Sequence, residues 1–281
     1  MSNCADKSII VCGIVRDAER ALKHNLPVME ALSNEFASFR MIVFENDSKD
    51  GTKEVLRHWQ GVMGEKLAVI SNDRGAGRTI PSSSNAGVNP FYSSRRISRM
   101  VDLRNQYMDY VADNHLDANY LMVIDLDVVD FSLKGILSSF NLGVDWDAVC
   151  ANCRSLSPKL RRRYHDAYAL TEYGDQHNPQ TEEKILSLSE KFSSIRPGDA
   201  PVRVFSAFGG IAIYKFEAIK GLKYELLFNA DSRVEVRCEH FSICAQMAQK
   251  GYDKVYINPE LEIKYQKLSA KIIFDSIRRR L

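Results

Sequence analysis

Tyr120-Leu121-Met122-Val123-Ile124-Asp125-Leu126-Asp127 is the stretch of this 281-residue sequence that decides the fold. Its apolar run predicts a buried strand, and two aspartates follow at the end of that strand. Carboxylates at the end of a buried strand cost free energy unless a cation meets them. Residues i and i+2 lie on one face of an extended chain, so Asp125 and Asp127 are spaced to share a divalent metal ion bound to a phosphate.

Strands and helices alternate on the amino-terminal side of this stretch. The pattern predicts strands over 8–15, 39–44 and 67–70 and helices over 18–32, 53–59 and 97–111. This β-α-β-α-β order indicates a parallel sheet with right-handed crossovers. Beyond residue 150 the pattern is less regular, with predicted strands over 202–205, 211–214 and 254–257 and predicted helices over 181–192, 216–220 and 239–250.

The composition is that of an ordinary globular protein. The net charge is +2, from 38 basic and 36 acidic residues, so no global field favours nucleic acid as a partner. No stretch approaches the roughly 18 apolar residues of a membrane span, and the polar start of the chain does not resemble a signal peptide. We therefore expect a cytoplasmic protein whose six cysteines are free thiols.

An acidic turn, Glu45-Asn46-Asp47-Ser48-Lys49-Asp50-Gly51-Thr52, follows the second predicted strand. Open α/β sheets bind ligands at this edge, and a carboxylate or amide there can accept from a uracil or guanine N–H. A second interpretation is a capped turn, in which Asp and Ser cap the next helix and Gly51 adopts a positive φ. Both interpretations can hold together.

Taken together, the motifs resemble nucleotide-sugar-dependent glycosyltransferases of the GT-A fold, over most of the chain. The motifs are Val11 to Asp17, the acidic turn, Arg99 to Asn105, Asp125-Leu126-Asp127, Ser206 to Gly210 and Cys238-Glu239-His240. The resemblance implies an α/β, Rossmann-like, three-layer α/β/α sandwich with a mostly parallel central sheet. It also implies a single catalytic domain over 1–281, with a nucleotide-sugar-binding half (1–130) and an acceptor-binding half (131–281).

The same resemblance assigns roles to individual residues. Donor binding is expected of Arg16, Glu45, Asn46, Asp47, Arg99, Arg104, Asn105, Asp125, Leu126, Gly209 and Gly210. The glycines are expected to admit a ligand where a side chain is missing. Asp127 and Asp125 would hold Mn²⁺ or Mg²⁺ between the donor phosphates, which makes Asp127 catalytic as well.

Glu239 is expected to be the general base that removes the acceptor proton in an inverting reaction. The motif departs from the family, because Glu239 is followed by His240 where an aspartate is commoner. His240 is either a third metal ligand or a buried, hydrogen-bonded histidine.

The implied reaction moves a hexose or pentose from a UDP- or GDP-sugar to a hydroxyl of a glycan, glycolipid or glycoprotein. The polar segment 72–94 is expected to act as a lid over the donor. Basic runs at 161–163 and 278–280 suit peripheral contact with an anionic membrane.

Two alternatives remain open. One is a haloacid-dehalogenase-like, Mg²⁺-dependent phosphatase with Asp125 as nucleophile, although Gly198-Asp199 is a poor match to its later acidic pair. The other is an inactive glycosyltransferase fold kept for binding.

Overall fold

A computed structural model of the chain describes residues 4–73, 75, 87–157 and 161–265. Most of the predicted lid and the basic run at 278–280 lie outside the described residues. The strands are β1 Ser8–Val15, β2 Ser38–Glu45, β3 Leu67–Ser71, β4 Tyr120–Asp125, β5 Ala148–Leu156, β6 Arg162–Tyr164, β7 Thr171–Glu172, β8 Val202–Ser206, β9 Ile211–Lys215 and β10 Val255–Lys264.

Seven α-helices and four short 3₁₀ helices connect these strands within the described residues. The α-helices are α1 Glu19–Ser33, α2 Thr52–Met63, α3 Ser94–Asp113, α4 Leu133–Ser138, α5 Glu182–Lys191, α6 Phe216–Ile219 and α7 Glu239–Gln249. The 3₁₀ helices are Gly64–Lys66, Pro90–Tyr92, Ser139–Asn141 and Phe192–Ser194. No helix of the described part of the chain is both long enough and apolar enough to span a bilayer.

The amino-terminal half forms a parallel sheet in the order β3-β2-β1-β4. Its strands are continuous apolar runs because helices cover the sheet, and side chains such as Val11, Met41 and Val123 are fully buried. Helices α1 and α2 pack together on this half, and α3 contacts β1 and β2. The predicted α/β class with a Rossmann-like parallel core is confirmed.

The carboxyl-terminal half of the sheet adds antiparallel strands beside the parallel core. Strand β9 inserts antiparallel between β4 and β5, and β10 runs parallel to β5 but antiparallel to β8. Strand β6 folds back on β5 as a hairpin. Because β9 is antiparallel to β4, it begins at the edge of the sheet where β4 ends.

Four elements were absent from the sequence prediction: α4, β5, β6 and β7. Strand β5 carries Cys150 and Cys153, and all six cysteines are buried free thiols, as expected. All the helices and strands that the sequence predicted are present, with ends shifted by a few residues. Strand β10 extends furthest beyond its predicted end, because it continues past a bulge between Asn258 and Glu262.

Candidate active site

Functional side chains gather at one edge of the sheet, where β1, β2 and β4 end. Asp125 is the last residue of β4, Glu45 is the last residue of β2, and Arg16 follows β1. The carboxyl ends of parallel strands meet at the same edge, where α/β sheets bind ligands. Asp125 is half-buried, and Asp127 is exposed. The two aspartates therefore stand at the open edge of the sheet, with one carboxylate directly accessible from solvent.

Arg104, on α3, joins two of the predicted acidic residues. Its Nη2 donates to Oδ1 of Asp125 at 3.2 Å, and its Nε donates to Oε1 of Glu239 at 2.9 Å. The side chain is buried, with its guanidinium carbon 4.9 Å from the ring centre of Phe208. The remaining nitrogen, Nη1, is buried without a hydrogen-bond partner among the described residues. Residues far apart in the sequence thus form one ion-paired cluster.

The carboxyl groups of the cluster differ in the direction in which their pKa values are shifted. Burial raises the pKa of Asp125 to about 6, against the opposing charge of Arg104 and with the help of Asp127. Burial acts to raise the pKa of Glu239, but the charge and hydrogen bond of Arg104, together with contributions from His240 and Arg96, lower that pKa to about 2. A carboxylate with so low a pKa is a weak base at neutral pH. The role of Glu239 as general base gains no support from this geometry and stays a prediction.

The Gly209-Gly210 turn lies between β8 and β9, against the end of β4. The backbone oxygen of Gly210 accepts from the backbone nitrogen of Asp125 at 2.8 Å. Both glycines have positive φ, +70° and +93°. A Cβ on Gly209 would lie 2.4 Å from the backbone oxygen of Ala151, and one on Gly210 would lie 2.6 Å from the hydroxyl of Tyr265. The space that side chains at Gly209 and Gly210 would need is therefore occupied by other atoms of the protein, whereas the sequence predicted that this space admits a ligand.

Asp166 also belongs to this site, although no sequence motif singles it out. It follows β6, and its Oδ2 accepts from the backbone nitrogen of Gly209 at 3.1 Å. Burial raises the pKa of Asp166 to about 7, and the charges of Asp125 and Glu239 add to that effect. The β5–β6 hairpin carries Asp166 to the site. The apolar start of β5, Ala148 to Ala151, was the signal that could have indicated this strand.

His240 is buried beside the cluster. Its ring stacks on Phe208, with ring centres 3.7 Å apart, and meets the ring of Tyr224 edge-on. Burial and then the charge of Arg104 lower the pKa of His240, so the imidazole is neutral. Neither ring nitrogen has a hydrogen-bond partner among the described residues, and no contact joins His240 to the two aspartates. The histidine is buried as one interpretation predicted, but it lacks the expected hydrogen bond.

The side chains of the acidic turn form hydrogen bonds with neighbouring residues of the protein. Oε1 of the buried Glu45 accepts from the backbone nitrogen of Ser48 at 2.9 Å, and Oε2 accepts from the hydroxyl of Ser71. Asn46 donates to Asp47 at 3.2 Å. These contacts make the turn a compact ledge at this edge of the sheet.

The capped-turn interpretation is right only in that an aspartate accepts from the start of α2; Ser48 does not cap this helix, and the glycine lacks a positive φ. Asp50 accepts from the backbone nitrogen of Thr52, the first residue of α2, at 3.0 Å. Gly51 has a φ of −73°, and the positive φ, +57°, falls instead on Asp47. Aspartate tolerates this region better than most residues, so the turn does not need glycine there.

The other predicted donor-binding residues lie around this edge. The side-chain amide of Asn105, on α3, forms two hydrogen bonds with the backbone of Tyr224. Its nitrogen donates to the Tyr224 oxygen at 2.9 Å, and its oxygen accepts from the Tyr224 nitrogen at 2.8 Å. The side chain of Leu126 is fully buried, so its contact with a donor is limited to the backbone. Arg16 pairs with the carboxylate that follows it, and Arg99 is half-buried on α3. Donor binding by these residues stays a prediction.

Asp125 and Asp127 offer the oxygen ligands that Mn²⁺ and Mg²⁺ prefer. Such ions commonly take one or two carboxylates and complete their shell with phosphate and water oxygens. Within the described residues, no group of three His, Cys, Asp or Glu side chains is placed to hold a metal ion. An ion here would therefore depend on oxygens from a bound diphosphate. Burial is the main cause of the raised pKa of Asp125, and the charge of Asp127 adds to it; a divalent cation would stabilise the ionised form against both, so the residues fit the predicted metal.

A comparison with protein families matches residues 12–248 to the family described as Cryptococcal mannosyltransferase 1. The match spans β1 to α7 and includes the acidic turn, both aspartates, Arg104 and Glu239. The sequence has no significant match among curated proteins.

Solved structures show weaker likenesses. A mannosyltransferase of Pyrobaculum calidifontis, solved with GDP-Man and Mn²⁺, is 12% identical, with a TM-score of 0.48 over 99% of this chain and 64% of that one. GalNAc-T7, solved with UDP, GalNAc and Mn²⁺, is 11% identical, with a TM-score of 0.47 over 99% of this chain and 48% of that one. Glucosyl-3-phosphoglycerate synthase of Mycobacterium tuberculosis, solved with Mn²⁺, UDP-Glc and phosphoglyceric acid, is 10% identical, with a TM-score of 0.44 over 97% and 76%. The chain thus spans less than two thirds of the first two proteins, and we rest no argument on likenesses this weak.

Proposed function

The chain belongs to the Cryptococcal mannosyltransferase 1 family, and from this premise we propose that it transfers a mannosyl group from a nucleoside diphosphate mannose to a hydroxyl of a glycan or glycoconjugate. The observation that carries the proposal is the pairing of Asp125 with the buried Arg104 at the ligand-binding edge of the sheet, beside the exposed Asp127. The family match argues against the phosphatase alternative. Asp199, which the phosphatase would need in its later acidic pair, lies exposed in a loop before β8.

The proposed donor lies along the edge formed by β1, β2 and β4. Its nucleoside rests against the ledge made by Glu45, Asn46 and Asp47, and its diphosphate reaches Asp127. Mn²⁺ or Mg²⁺, when bound by Asp127 and Asp125, would neutralise charge that develops on the departing diphosphate. Arg104 orients the carboxylate of Asp125 through its bond at 3.2 Å, and Glu239 in turn holds Arg104.

The proposed transfer proceeds with inversion. The oxygen of the acceptor hydroxyl attacks the anomeric carbon from the side opposite the diphosphate. The bond between that carbon and the phosphate oxygen breaks, and its electron pair leaves with the nucleoside diphosphate. The hydroxyl proton passes to a carboxylate of the enzyme, for which Glu239 is the family-based candidate.

Donor binding tests this proposal before the acceptor is known. We expect GDP-mannose or UDP-mannose to raise the melting temperature of the wild type when Mn²⁺ is present, and to lose this effect in EDTA. Asp127→Ala should abolish the Mn²⁺-dependent shift. Asp199→Ala, which removes an exposed carboxylate away from the cluster, should keep it.

Three outcomes are informative. A shift that needs both Mn²⁺ and Asp127 supports the donor and the metal. Binding of the donor without any turnover, even to water, would favour the inactive binding protein. A shift with neither sugar nucleotide would overturn the proposed function.

A further inference from the structure

Tyr265 lies against Asp125, although no sequence motif singles it out. It directly follows β10, and its hydroxyl donates to Oδ2 of Asp125 at 3.4 Å. A phenol keeps its proton at neutral pH, so this hydroxyl can donate to a carboxylate. The residue as a whole is half-buried. The carboxyl-terminal half of the sheet thus supplies a hydrogen-bond donor at the end of β4.

Three contacts from different parts of the chain hold Asp125. Its backbone nitrogen donates to the backbone oxygen of Gly210 at 2.8 Å, its Oδ1 accepts from Arg104 at 3.2 Å, and its Oδ2 accepts from Tyr265. An ionised carboxylate has about four acceptor positions, so the two side-chain contacts leave places for a metal ion. Arg104 and Tyr265 together therefore set the direction in which the remaining lone pairs of Asp125 point.

Gly210 leaves the room that the Tyr265 hydroxyl needs. A Cβ on Gly210 would lie 2.6 Å from that hydroxyl oxygen and 3.2 Å from the ring carbon that bears it. A side chain at this position would therefore displace the hydroxyl from Asp125. Gly210 thus serves Asp125 twice, because it accepts from the backbone nitrogen and makes room for the donor to the carboxylate.

The ring of Tyr265 is held by contacts of its own. It stacks on His165, with ring centres 4.2 Å apart and planes inclined by 25°, and Nδ1 of His165 lies 3.0 Å from the hydroxyl of Ser155. The backbone nitrogen of Tyr265 donates to the backbone oxygen of Arg154 at 3.2 Å. Because 3.4 Å is long for an O–H···O bond, the contact with Asp125 depends on how firmly this ring is held.

We propose that Tyr265 is a positioning residue, which holds the carboxylate of Asp125 in the orientation that binds the divalent ion and, through it, the donor diphosphate. The inference rests on the proposed function and adds a residue to its site. It requires no proton transfer by Tyr265. Removal of a group that hydrogen-bonds to a metal ligand typically lowers metal affinity or activity by roughly 10- to 100-fold.

The first test measures the Mn²⁺ concentration that gives half-maximal donor binding, by calorimetric titration with GDP-mannose and with UDP-mannose. Tyr265→Phe removes the hydroxyl and keeps the ring. We expect this variant to need about 10- to 100-fold more Mn²⁺ than the wild type. Tyr173→Phe is the matched control, because the Tyr173 hydroxyl also donates to an aspartate, Oδ2 of Asp253 at 3.0 Å, in an exposed contact near the opposite end of β10. It should need as much Mn²⁺ as the wild type.

The second test asks whether the stacked ring holds the hydroxyl in place. His165→Phe keeps a ring that can stack on Tyr265, whereas His165→Ala removes it. We expect His165→Ala to raise the Mn²⁺ requirement and His165→Phe to leave it close to that of the wild type. In the Tyr265→Phe background, His165→Ala should add little, because the hydroxyl that the stack positions is already absent.

Melting temperatures in EDTA separate positioning from structural damage. Tyr265→Phe should melt close to the wild type without metal or donor, because the ring and its stack remain. A changed Mn²⁺ requirement with an unchanged melting temperature is the result that a merely structural role would not give. A Tyr265→Phe defect that appears only as a lower melting temperature would overturn the inference.

The remaining outcomes separate this inference from the proposed function. A wild-type Mn²⁺ requirement in Tyr265→Phe, or an equal change in Tyr173→Phe, would overturn the role of Tyr265 and leave the transferase intact. Donor binding that does not depend on Mn²⁺ in the wild type would overturn the inference but keep the donor. If the wild type binds neither sugar nucleotide, the proposed function fails, and this inference fails with it.

Discussion

The acidic turn after β2 and the cluster around Arg104 both hold several carboxylates at the same edge of the sheet, yet they solve the charge problem differently. In the turn, backbone N–H groups and hydroxyls of the chain satisfy Glu45 and Asp50. In the cluster, the guanidinium of Arg104 pairs with the carboxylates of Asp125 and Glu239, and with Asp166 included the pKa values spread from about 2 to about 7.

This difference separates a part of the site whose polar groups are satisfied within the chain from a part where we propose that a ligand binds. A satisfied turn gives the edge its shape, whereas groups with shifted pKa values mark the place where chemistry is expected. The nitrogens of Arg104 and His240 that lack a hydrogen-bond partner within the described part of the chain lie in the second part. Changes in the cluster should therefore cost more than matched changes in the turn.

The largest effect is expected from Arg104→Met. Removing the guanidinium leaves Glu239 and Asp125 buried or half-buried without their cation, which should lower the free energy of unfolding by about 3–5 kcal/mol at pH 8. The freed carboxylates then gain protons on folding, so the loss should be smaller at pH 5.5. Urea unfolding at both pH values measures it.

A double variant tests the cause of that loss. Because Glu239→Gln removes the charge that Arg104 would leave unpaired, Arg104→Met/Glu239→Gln should be more stable than Arg104→Met alone. Equal stability of the two variants, or a loss below about 1 kcal/mol for Arg104→Met, would mean that the ion pair does not set the stability of the cluster.

A smaller effect of opposite sign is expected from Asp166→Asn. The raised pKa of Asp166 means that its ionised form destabilises the fold, with a penalty that begins above the unfolded pKa of about 3.8 and is complete above about 7. Asparagine removes this penalty. The melting temperature should rise by about 2–4 °C at pH 8, for a gain of roughly 1 kcal/mol, and should not change below pH 4.

Calorimetry at the two pH values checks this gain. A melting temperature at pH 8 that equals or falls below that of the wild type would contradict the origin of the shift in burial and in the charges of Asp125 and Glu239. Asp199→Asn serves as the comparison, since it removes an exposed carboxylate.

The smallest effect is expected from Glu45→Gln in the turn. Glutamine can accept from the Ser48 amide with its oxygen and donate to the Ser71 hydroxyl with its nitrogen, so both contacts survive the loss of charge. The free energy of unfolding should fall by less than about 1 kcal/mol, measured in urea. A loss as large as that of Arg104→Met would abolish the contrast between the two regions.

The amino-terminal half could be predicted from the sequence because its strands are local apolar runs between recognisable helices. Strand β5 was not predicted, because only its start is an apolar run and its polar residues are satisfied by distant parts of the chain. Asn152 donates to the backbone oxygen of Pro259 at 3.4 Å, and Arg154 donates to that of Ile195 at 2.9 Å. Such long-range bonds leave no local pattern.

The candidate site, like the fold, could be predicted only where its residues lie in local sequence motifs. Asp125, Arg104 and Glu239 lie in recognisable motifs, and the structure brings them together. Asp166 reaches the site through the β5–β6 hairpin and its bond to Gly209, which depend on the unpredicted β5. Glu239 was assigned a base's role by resemblance, and its pKa of about 2 arises from a partner 135 residues away.

The position of β9 has a consequence for the order of events during folding. This strand lies between β4 and β5 and joins the two halves of the sheet. The Gly209-Gly210 turn that precedes it contacts Asp125 on one side and Asp166 on the other. A nascent chain therefore has no assembled cluster around Arg104 until β9 enters the sheet.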